Sequence, residues 1–414
     1  MATVVQKFGG TSVADAEKIR RAAGRAIKAY NEGNKVVMVC SARGKQTDEL
    51  IADAHELNPN PSKREMDMLL ATGEQQTVSL MAMALDAMGH KAISFNGAQI
   101  GMVTDSAHSK ARIQSIDAKR VKKQLDNGHI VIVAGFQGVD EKGNVTTLGR
   151  GGSDTSAVAL AVAIGADVCE IYTDVDGIYS ADPRKFPDAV KLEEISYDEM
   201  LELASLGAGV MHGRSIEFGK KYHVPIRVRS SLNDNPGTLI TDEVPQMEGI
   251  LVSGATIQKD LAKIGLLGVD NTPGTAAQIF AHLAGANVVV NDIIQVELSP
   301  DKANLSFTIS HSDLEDAKKA INEIKKEVNC QSVFVREDIA EVSAVGVGMR
   351  SHSGVANAMF NALREAEVNV DAITTSEIRI SCLVNEDQAE RALVAVCKAF
   401  ELDKPEEERT YNEA

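Results

Sequence analysis

The second half of this 414-residue sequence repeats itself, and that repeat limits what the chain can fold into more than any other feature. GLLGVDNTPGTAAQIFAHLAGANVVVNDI aligns with VSAVGVGMRSHSGVANAMFNALREAEVNVDAI. Gly274 falls on Gly354, Phe280 on Phe360, Leu283 on Leu363 and Val288 on Val368, each pair 80 residues apart and without a gap. A fixed internal period means that one supersecondary unit has been used twice. Each copy reads strand, glycine-containing loop, amphipathic helix, strand, then strand and helix again. The second half is therefore two small α+β units in tandem. The glycine after each first strand opens the loop into the helix and would let a small ligand sit against backbone.

The first half has a different texture. Strand-like runs VVMVC (36–40), HIVIVAG (129–135) and DVCEIYTD (167–174) alternate with helix-like ADAEKIRRAAGRAIKAY, REMDMLLATGEQQTVSLMAMALDAMG and SDTSAVALAVAIGA. Nearly uninterrupted apolar strands between helices predict a parallel or mixed sheet covered on both faces. The pattern runs to about residue 240, where a polar stretch containing Pro245 begins. The expected division is 1–240, a linker at 241–248, a first repeat at 249–335 and a second repeat with its tail at 336–414.

Composition removes several function classes. A formal net charge of −16, from 43 basic and 59 acidic residues, argues against nucleic acid as a partner. No apolar run reaches the roughly 18 residues that span a bilayer, and the N-terminus lacks a secretory pattern, so no membrane partner and a cytoplasmic location are expected. The five cysteines are odd in number and form no CxxC, which reads as reduced core residues. No HxxxH or HExxH pairs the nine histidines, so no protein-held metal is expected.

Three segments carry candidate chemistry. KFGGTS stops the strand-like run 3–8 at two glycines and follows them with two hydroxyls. Paired glycines between strand and helix admit close backbone approach and leave N–H groups for an anion, although a plain tight turn has the same pattern. TTLGRGGSDTSAVALAVAIGA places Arg150, Gly151 and Gly152 before a helix opened by Ser153 and Asp154. Its N-terminus is anion-seeking for the same reason. YTDVDGIYSADPR (172–184) leaves a strand with Asp174 and Asp176, turns at Gly177 and presents Tyr179, Asp182 and Arg184. That set suits a nucleotide, while Asp-Gly and Asp-Pro are also ordinary turn dipeptides. No GxxxxGK[ST] occurs, so this is not a P-loop.

In order and spacing, these segments resemble the amino-acid kinase family, and within it the aspartate kinases. VCSARGKQTD with Ser41 and Thr47, ATGEQQTVSLM with Glu74, and VRSSLNDNPGTLI fit the same pattern, and both repeats resemble ACT regulatory domains. The implied fold is α/β: an amino-acid-kinase-like three-layer sandwich followed by two ferredoxin-like ACT repeats. The resemblance implies an ATP-dependent enzyme that phosphorylates L-aspartate to 4-phospho-L-aspartate, the first step of lysine, threonine and methionine biosynthesis. Lys7, Gly9 and Gly10 would hold the nucleotide phosphates. Asp154 would organise the catalytic Lys7 and the backbone donors, and Gly151 and Ser153 would bind substrate. Ser41 and Thr47 would lie near the transferring phosphate and aspartate. Glu74 would bind the α-ammonium and Arg150 the α-carboxylate. Thr173, Asp174, Tyr179, Asp182 and Arg184 would line the ATP site, with Mg²⁺ held mainly through the phosphates. Asn271, Gly274, Ala276 and Gln295 would form one effector site, and the region of Ser351 to Val355 with Asn369, Val370 and Thr375 its counterpart. Lysine, threonine or both would be the effector. Chains would pair through the repeats as a homo-oligomer, and Met247 could be an internal start for a regulatory-only subunit. Two positions depart from the pattern. Gly209 stands where a phosphate-contacting lysine is usual, with Arg214 or Lys220 as substitutes, and Asn271 stands where Asp is frequent. Another kinase of this fold and an amino-acid sensor with a degenerate kinase domain are the competing readings.

Overall fold

The computed structural model describes residues 1–207, 209–242, 244, 251–350 and 354–409. The chain divides into two compact units, Met1–Tyr179 with Lys191–Gln246 and Ser180–Val190 with Met247–Ala414.

In chain order the first unit opens with β1 (Thr3–Phe8), α1 (Ala16–Asn31), β2 (Lys35–Cys40), α2 (Gln46–Leu57) and α3 (Lys63–Ala87). There follow β3 (Ala92–Phe95), β4 (Met102–Thr104), β5 (Ile113–Ile116), α4 (Lys119–Asp126), β6 (Ile130–Ala134), β7 (Gln137–Asp140) and β8 (Val145–Thr147). It closes with α5 (Gly152–Ile164), β9 (Val168–Thr173), β10 (Glu194–Ser196), α6 (Tyr197–Ser205), α7 (Gly213–Tyr222), β11 (Ile226–Ser230) and β12 (Thr238–Thr241). The main sheet has the order β10-β12-β11-β9-β1-β2-β6-β3. From β11 to β3 every neighbouring pair is parallel, so the C-terminal ends of β9, β1, β2 and β6 lie side by side.

The apolar runs are buried on both faces because helices cover both. On one face Val36, Met38, Cys40, Ile130 and Ile132 pack with α1 and α3 through Ile19, Ala23, Val78, Met81 and Leu85. On the other, the alanine-rich α5 lies against β1, β2 and β9. Its small side chains permit that close approach, and Gly165 ends it with φ +70°, a left-handed cap that glycine adopts without strain. The result is helix, sheet, helix: the three layers expected from the alternation. A small sheet, β5-β4-β7-β8, sets β8 beside α3.

The second unit contains β13 (Gly254–Asp270), α8 (Thr275–Gly285), β14 (Val290–Ser299), β15 (Lys302–Ser310), α9 (Leu314–Ile324) and β16 (Ser332–Val345), then α10 (Val355–Glu365), β17 (Ala372–Thr375), β18 (Arg379–Asn385) and α11 (Ala389–Ala399). Six strands form one sheet in the order β14-β15-β13-β16-β18-β17. The 80-residue period is structural. Gly274 and Gly354 both precede an 11-residue helix with φ near +100°, and Leu283 and Leu363 each sit in the core of their repeat. The two cores share strands. The Ala262–Val269 end of β13 packs in the first, whereas Ala255 and Ile257 of the same strand pack in the second with Val342, Met359 and Leu393. Ala181 and Phe186 of the Ser180–Val190 segment are buried in that second core as well.

Candidate active site

Lys7 is the penultimate residue of β1, and its side chain reaches Asp154 in the first turn of α5, with Nζ to Oδ1 at 2.6 Å. Both side chains are about nine-tenths buried. The pair fixes an ammonium at the strand end beside a helix N-terminus, two sources of positive potential for an anion. Gly9 is extended, and Gly10 faces the neighbouring loop. A Cβ on Gly10 would stand 2.7 Å from the Ala42 carbonyl oxygen, and the Gly44 N–H donates to the Gly10 carbonyl at 3.0 Å. The second glycine therefore lets two strand-end loops touch. Ser41 leaves β2 with its N–H on the Phe8 carbonyl, and Thr47 lies in the first turn of α2.

The same loop is bound by α3. Gly73 lies against Ala42, where a Cβ would come within 2.8 Å of the alanine methyl, and this brings the next residue, Glu74, into the site. The Ala42 N–H donates to Glu74 Oε1 at 3.0 Å, while Oε2 is buried without a partner. Burial pushes the carboxyl up to about 7, with the Ala42 N–H pulling the other way. An enclosed carboxylate with one unmatched oxygen is a costly arrangement that a cation relieves. Arg150 is exposed on the turn before α5, between Gly149 at φ +78° and Gly151 at φ +69°. Ser153 is buried against Gly135, beyond the end of β6.

At the end of β9 the Thr173 hydroxyl donates to Asp174 Oδ1 at 3.1 Å. A hollow there is lined by Thr11, Ser12, Lys18, Arg21, Asp174 and Ser231. Lys7, Gly9, Gly10, Thr173 and Asp174 thus meet at adjacent strand ends. Tyr179 is in the same unit, its backbone paired with Lys191 and its hydroxyl pKa raised by burial and by Asp176. Asp182 and Arg184 are carried by Ser180–Val190, which belongs to the second unit, and they pair bidentately with each other at 3.0 and 2.8 Å. Sequence reasoning missed Lys18, Arg21 and Ser231. The spacing of Lys18 and Arg21, three apart on an N-terminal helix turn, was the available signal.

In the second unit, Asn271, Gly274, Ala276 and Gln295 line one hollow together with Asp270, Thr272 and Thr275. Gln295 Nε2 donates to Asn271 Oδ1 at 3.5 Å. In the second repeat Asn369 is exposed, Val370 packs on the core, and Thr375 is exposed at the end of β17. Ser351 and Met247 lie outside the described residues.

A model of the amino acid kinase family matches residues 2–230, and one of the ACT domain matches 342–400. An aspartate kinase of Stutzerimonas stutzeri is 47% identical over 406 residues, covering 98% of each chain. The chain belongs to the aspartate kinases of the amino-acid kinase family. The structure of E. coli aspartokinase III with aspartate and ADP superposes with a TM-score of 0.80 at 26% identity, over 96% of this chain and 99% of that one. The same E. coli enzyme with lysine and aspartate gives 0.76 at 25%, with the same coverage. As an aspartate kinase the chain phosphorylates the β-carboxylate of L-aspartate with ATP, giving 4-phospho-L-aspartate, under amino-acid feedback at its ACT repeats. No helix among the described residues is long and apolar enough to cross a membrane. For this aspartate kinase, neither expected substitute for the lysine missing at Gly209 is idle. Arg214 donates to the Leu148 and Ala111 carbonyls, and Lys220 pairs with Asp198.

Proposed function

We propose that aspartate kinase chemistry takes place where β1, β2 and β9 end, with Glu74 on the substrate α-ammonium and Arg150 on its α-carboxylate. The observation that carries this is the buried, unpartnered Oε2 of Glu74 on the same loop assembly as the Lys7–Asp154 pair. An ammonium ligand satisfies that oxygen, and an exposed guanidinium can engage a carboxylate through two parallel N–H bonds. The nucleophilic β-carboxylate is ionised at neutral pH, so no general base is needed. What remains is alignment and neutralisation of charge on the transferring phosphoryl. Lys7, oriented by Asp154, supplies one fixed cation, and Gly9, Gly10, Gly151 and Ser153 keep backbone donors close. Ser41 and Thr47 contribute hydroxyls between the reactants. Thr173, Asp174, Tyr179, Asp182 and Arg184 are assigned to the nucleotide.

Mg²⁺ is implied by the family. The ion would be held mainly through the nucleotide phosphates. It would supply charge neutralisation there, with the exposed Asp174 as a hard oxygen donor. The hollow of Asn271, Gly274, Ala276 and Gln295 is assigned to the effector, lysine and/or threonine, and Asn369, Val370 and Thr375 to its counterpart. A cytoplasmic homo-oligomer paired through the repeats, with a possible regulatory-only subunit started at Met247, completes the reading. So does the division into 1–240, 241–248, 249–335 and 336–414 as functional segments.

The test is acyl-phosphate formation trapped as the hydroxamate, with aspartate, glutamate and acetylglutamate offered in turn and lysine and threonine then added singly and together. Hydroxamate from aspartate that is lost in Glu74→Gln and Arg150→Ala supports the site. Undiminished aspartate turnover in both variants places the substrate elsewhere.

A further inference from the structure

One fully buried carboxylate in the first unit has no part in the chemistry above. Asp67, on α3, accepts His108 Nδ1 at 2.7 Å on Oδ2 and the Thr147 hydroxyl at 2.5 Å on Oδ1, and the Ser109 N–H lies 3.1 Å from both oxygens. A carboxylate is held in such a place only when its oxygens are matched, and here three donors match them. The donors come from two stretches of chain, the 108–109 loop and the last residue of β8. The same two stretches are tied again by the Ala111 N–H on the Thr147 carbonyl at 2.9 Å, and by Arg214 donating to both the Leu148 and Ala111 carbonyls.

Strand β8 runs directly into Leu148, Gly149 and Arg150. The 108–110 loop is the floor under that turn: a Cβ on Gly149 would come within 2.9 Å of the Ser109 carbonyl oxygen. Ser109 itself is held at φ +72°, a conformation that a non-glycine residue keeps only when its surroundings impose it. Asp67 and Glu74 are seven residues apart on one helix, which puts them on the same face and roughly 10 Å apart along its axis. Both are buried there.

We propose that Asp67 and His108 are positioning residues for substrate: they fix the turn that carries Arg150, so that α3 sets the distance between the α-ammonium site at Glu74 and the α-carboxylate site at Arg150. The inference rests on the assignment of Arg150 to the substrate α-carboxylate. Its effect should fall on aspartate more than on the nucleotide, whose side of the site is built on β1 and β9 apart from Asp154 of α5.

The experiment is steady-state kinetics on the full chain with aspartate and ATP varied separately, together with thermal unfolding. His108→Ala should raise the KM for aspartate about tenfold while the KM for ATP moves less than about twofold. His108→Asn, whose amide N–H can occupy the place of Nδ1–H, should return the aspartate KM to within about threefold of the parent. Thr147→Val removes a single donor and should raise the aspartate KM in the same direction, which keeps the test open if His108→Ala does not fold. An unchanged aspartate KM in folded His108→Ala and Thr147→Val overturns the proposal. So does a parallel rise in both KM values with a fall in Tm that His108→Asn does not relieve. Arg150→Ala, run alongside, separates the premise from the inference. If it leaves the aspartate KM unchanged, the assignment of Arg150 fails; if it raises that KM while the His108 and Thr147 variants do not, only the positioning role fails.

Discussion

With the substrate role proposed for it, Glu74 would do two jobs that pull its protonation in opposite directions. Its folded pKa of about 7 lies above the ordinary 4.5, so between those values the folded protein holds a proton that the unfolded chain has released. Its contribution to stability is therefore fully present below about pH 4.5 and is lost as pH rises through 7, on the order of 3 kcal/mol in all. Glu74→Gln removes the ionisation, so its Tm relative to the parent should rise between pH 5 and pH 8. A constant Tm difference across that range would mean that the carboxyl titrates normally. In the substrate role proposed for Glu74 the sign reverses, because an ammonium bound there needs the carboxylate. Initial rates should show kcat/KM for aspartate climbing toward a plateau above about pH 7, and in Glu74→Gln it should fall by two orders of magnitude or so. Gly209 offers a gain-of-function counterpart. A Cβ there meets nothing within 4 Å, so Gly209→Lys puts back the usual cation with no clash at its Cβ. If that position faces nucleotide phosphate, the KM for ATP should fall about threefold to tenfold with the aspartate KM steady. An unmoved ATP KM would show that this chain binds its nucleotide without the position.

Strand ends and glycine turns were the most readable parts of this chain. VVMVC, HIVIVAG and DVCEIYTD became β2, β6 and β9 to within two residues, because a β-branched run buried on both faces carries its own boundaries. Glycine positions were legible too, but their reason was only half seen. Gly10 is demanded by the Ala42 carbonyl of the next loop as much as by any ligand. Gly10→Ala should therefore destabilise by about 1–3 kcal/mol in denaturant unfolding as well as lower activity. Gly24→Ala is the internal contrast: in α1, with nothing within 4 Å of its Cβ, it should stabilise by about 0.5–1 kcal/mol. Equal and small effects would mean that the loops relax freely. What could not be read was the sharing of β13 between two cores, or the burial of Ala181 and Phe186 with the second repeat. Periodicity reports which face of a strand is apolar and says nothing about which distant segment covers it. Asp67 and His108 were silent for the same reason, since 41 residues of sequence separate a pair that is in direct contact.

The second unit's sheet has β14 and β17 at its edges, and β14, although it carries two register shifts and the charges of Asp292 and Glu297, still exposes much apolar surface. Ile293, Val296 and Leu298 on it are each more than half exposed, as is Val289 just before it, and Ile373 on β17 is 47% exposed. Chains ordinarily blunt such edges with charge, proline or a bulge, because unpaired N–H and C=O groups beside apolar side chains template pairing with another strand. A long apolar edge that a protein keeps is most simply understood as covered in its working form. This is what the proposed pairing through the repeats requires, and it would tie assembly to regulation, because Gln295 of the hollow proposed for the effector stands on the same strand between Ile293 and Val296. An effector seated against Gln295 would then feel, and alter, the packing of that edge. Ile293→Lys combined with Val296→Lys should lower the mass measured by light scattering at micromolar concentration and weaken inhibition by the effector together. Loss of assembly with inhibition intact would confine the effector's action to one chain. A parent protein that is already monomeric at those concentrations would remove the strand's role in pairing altogether.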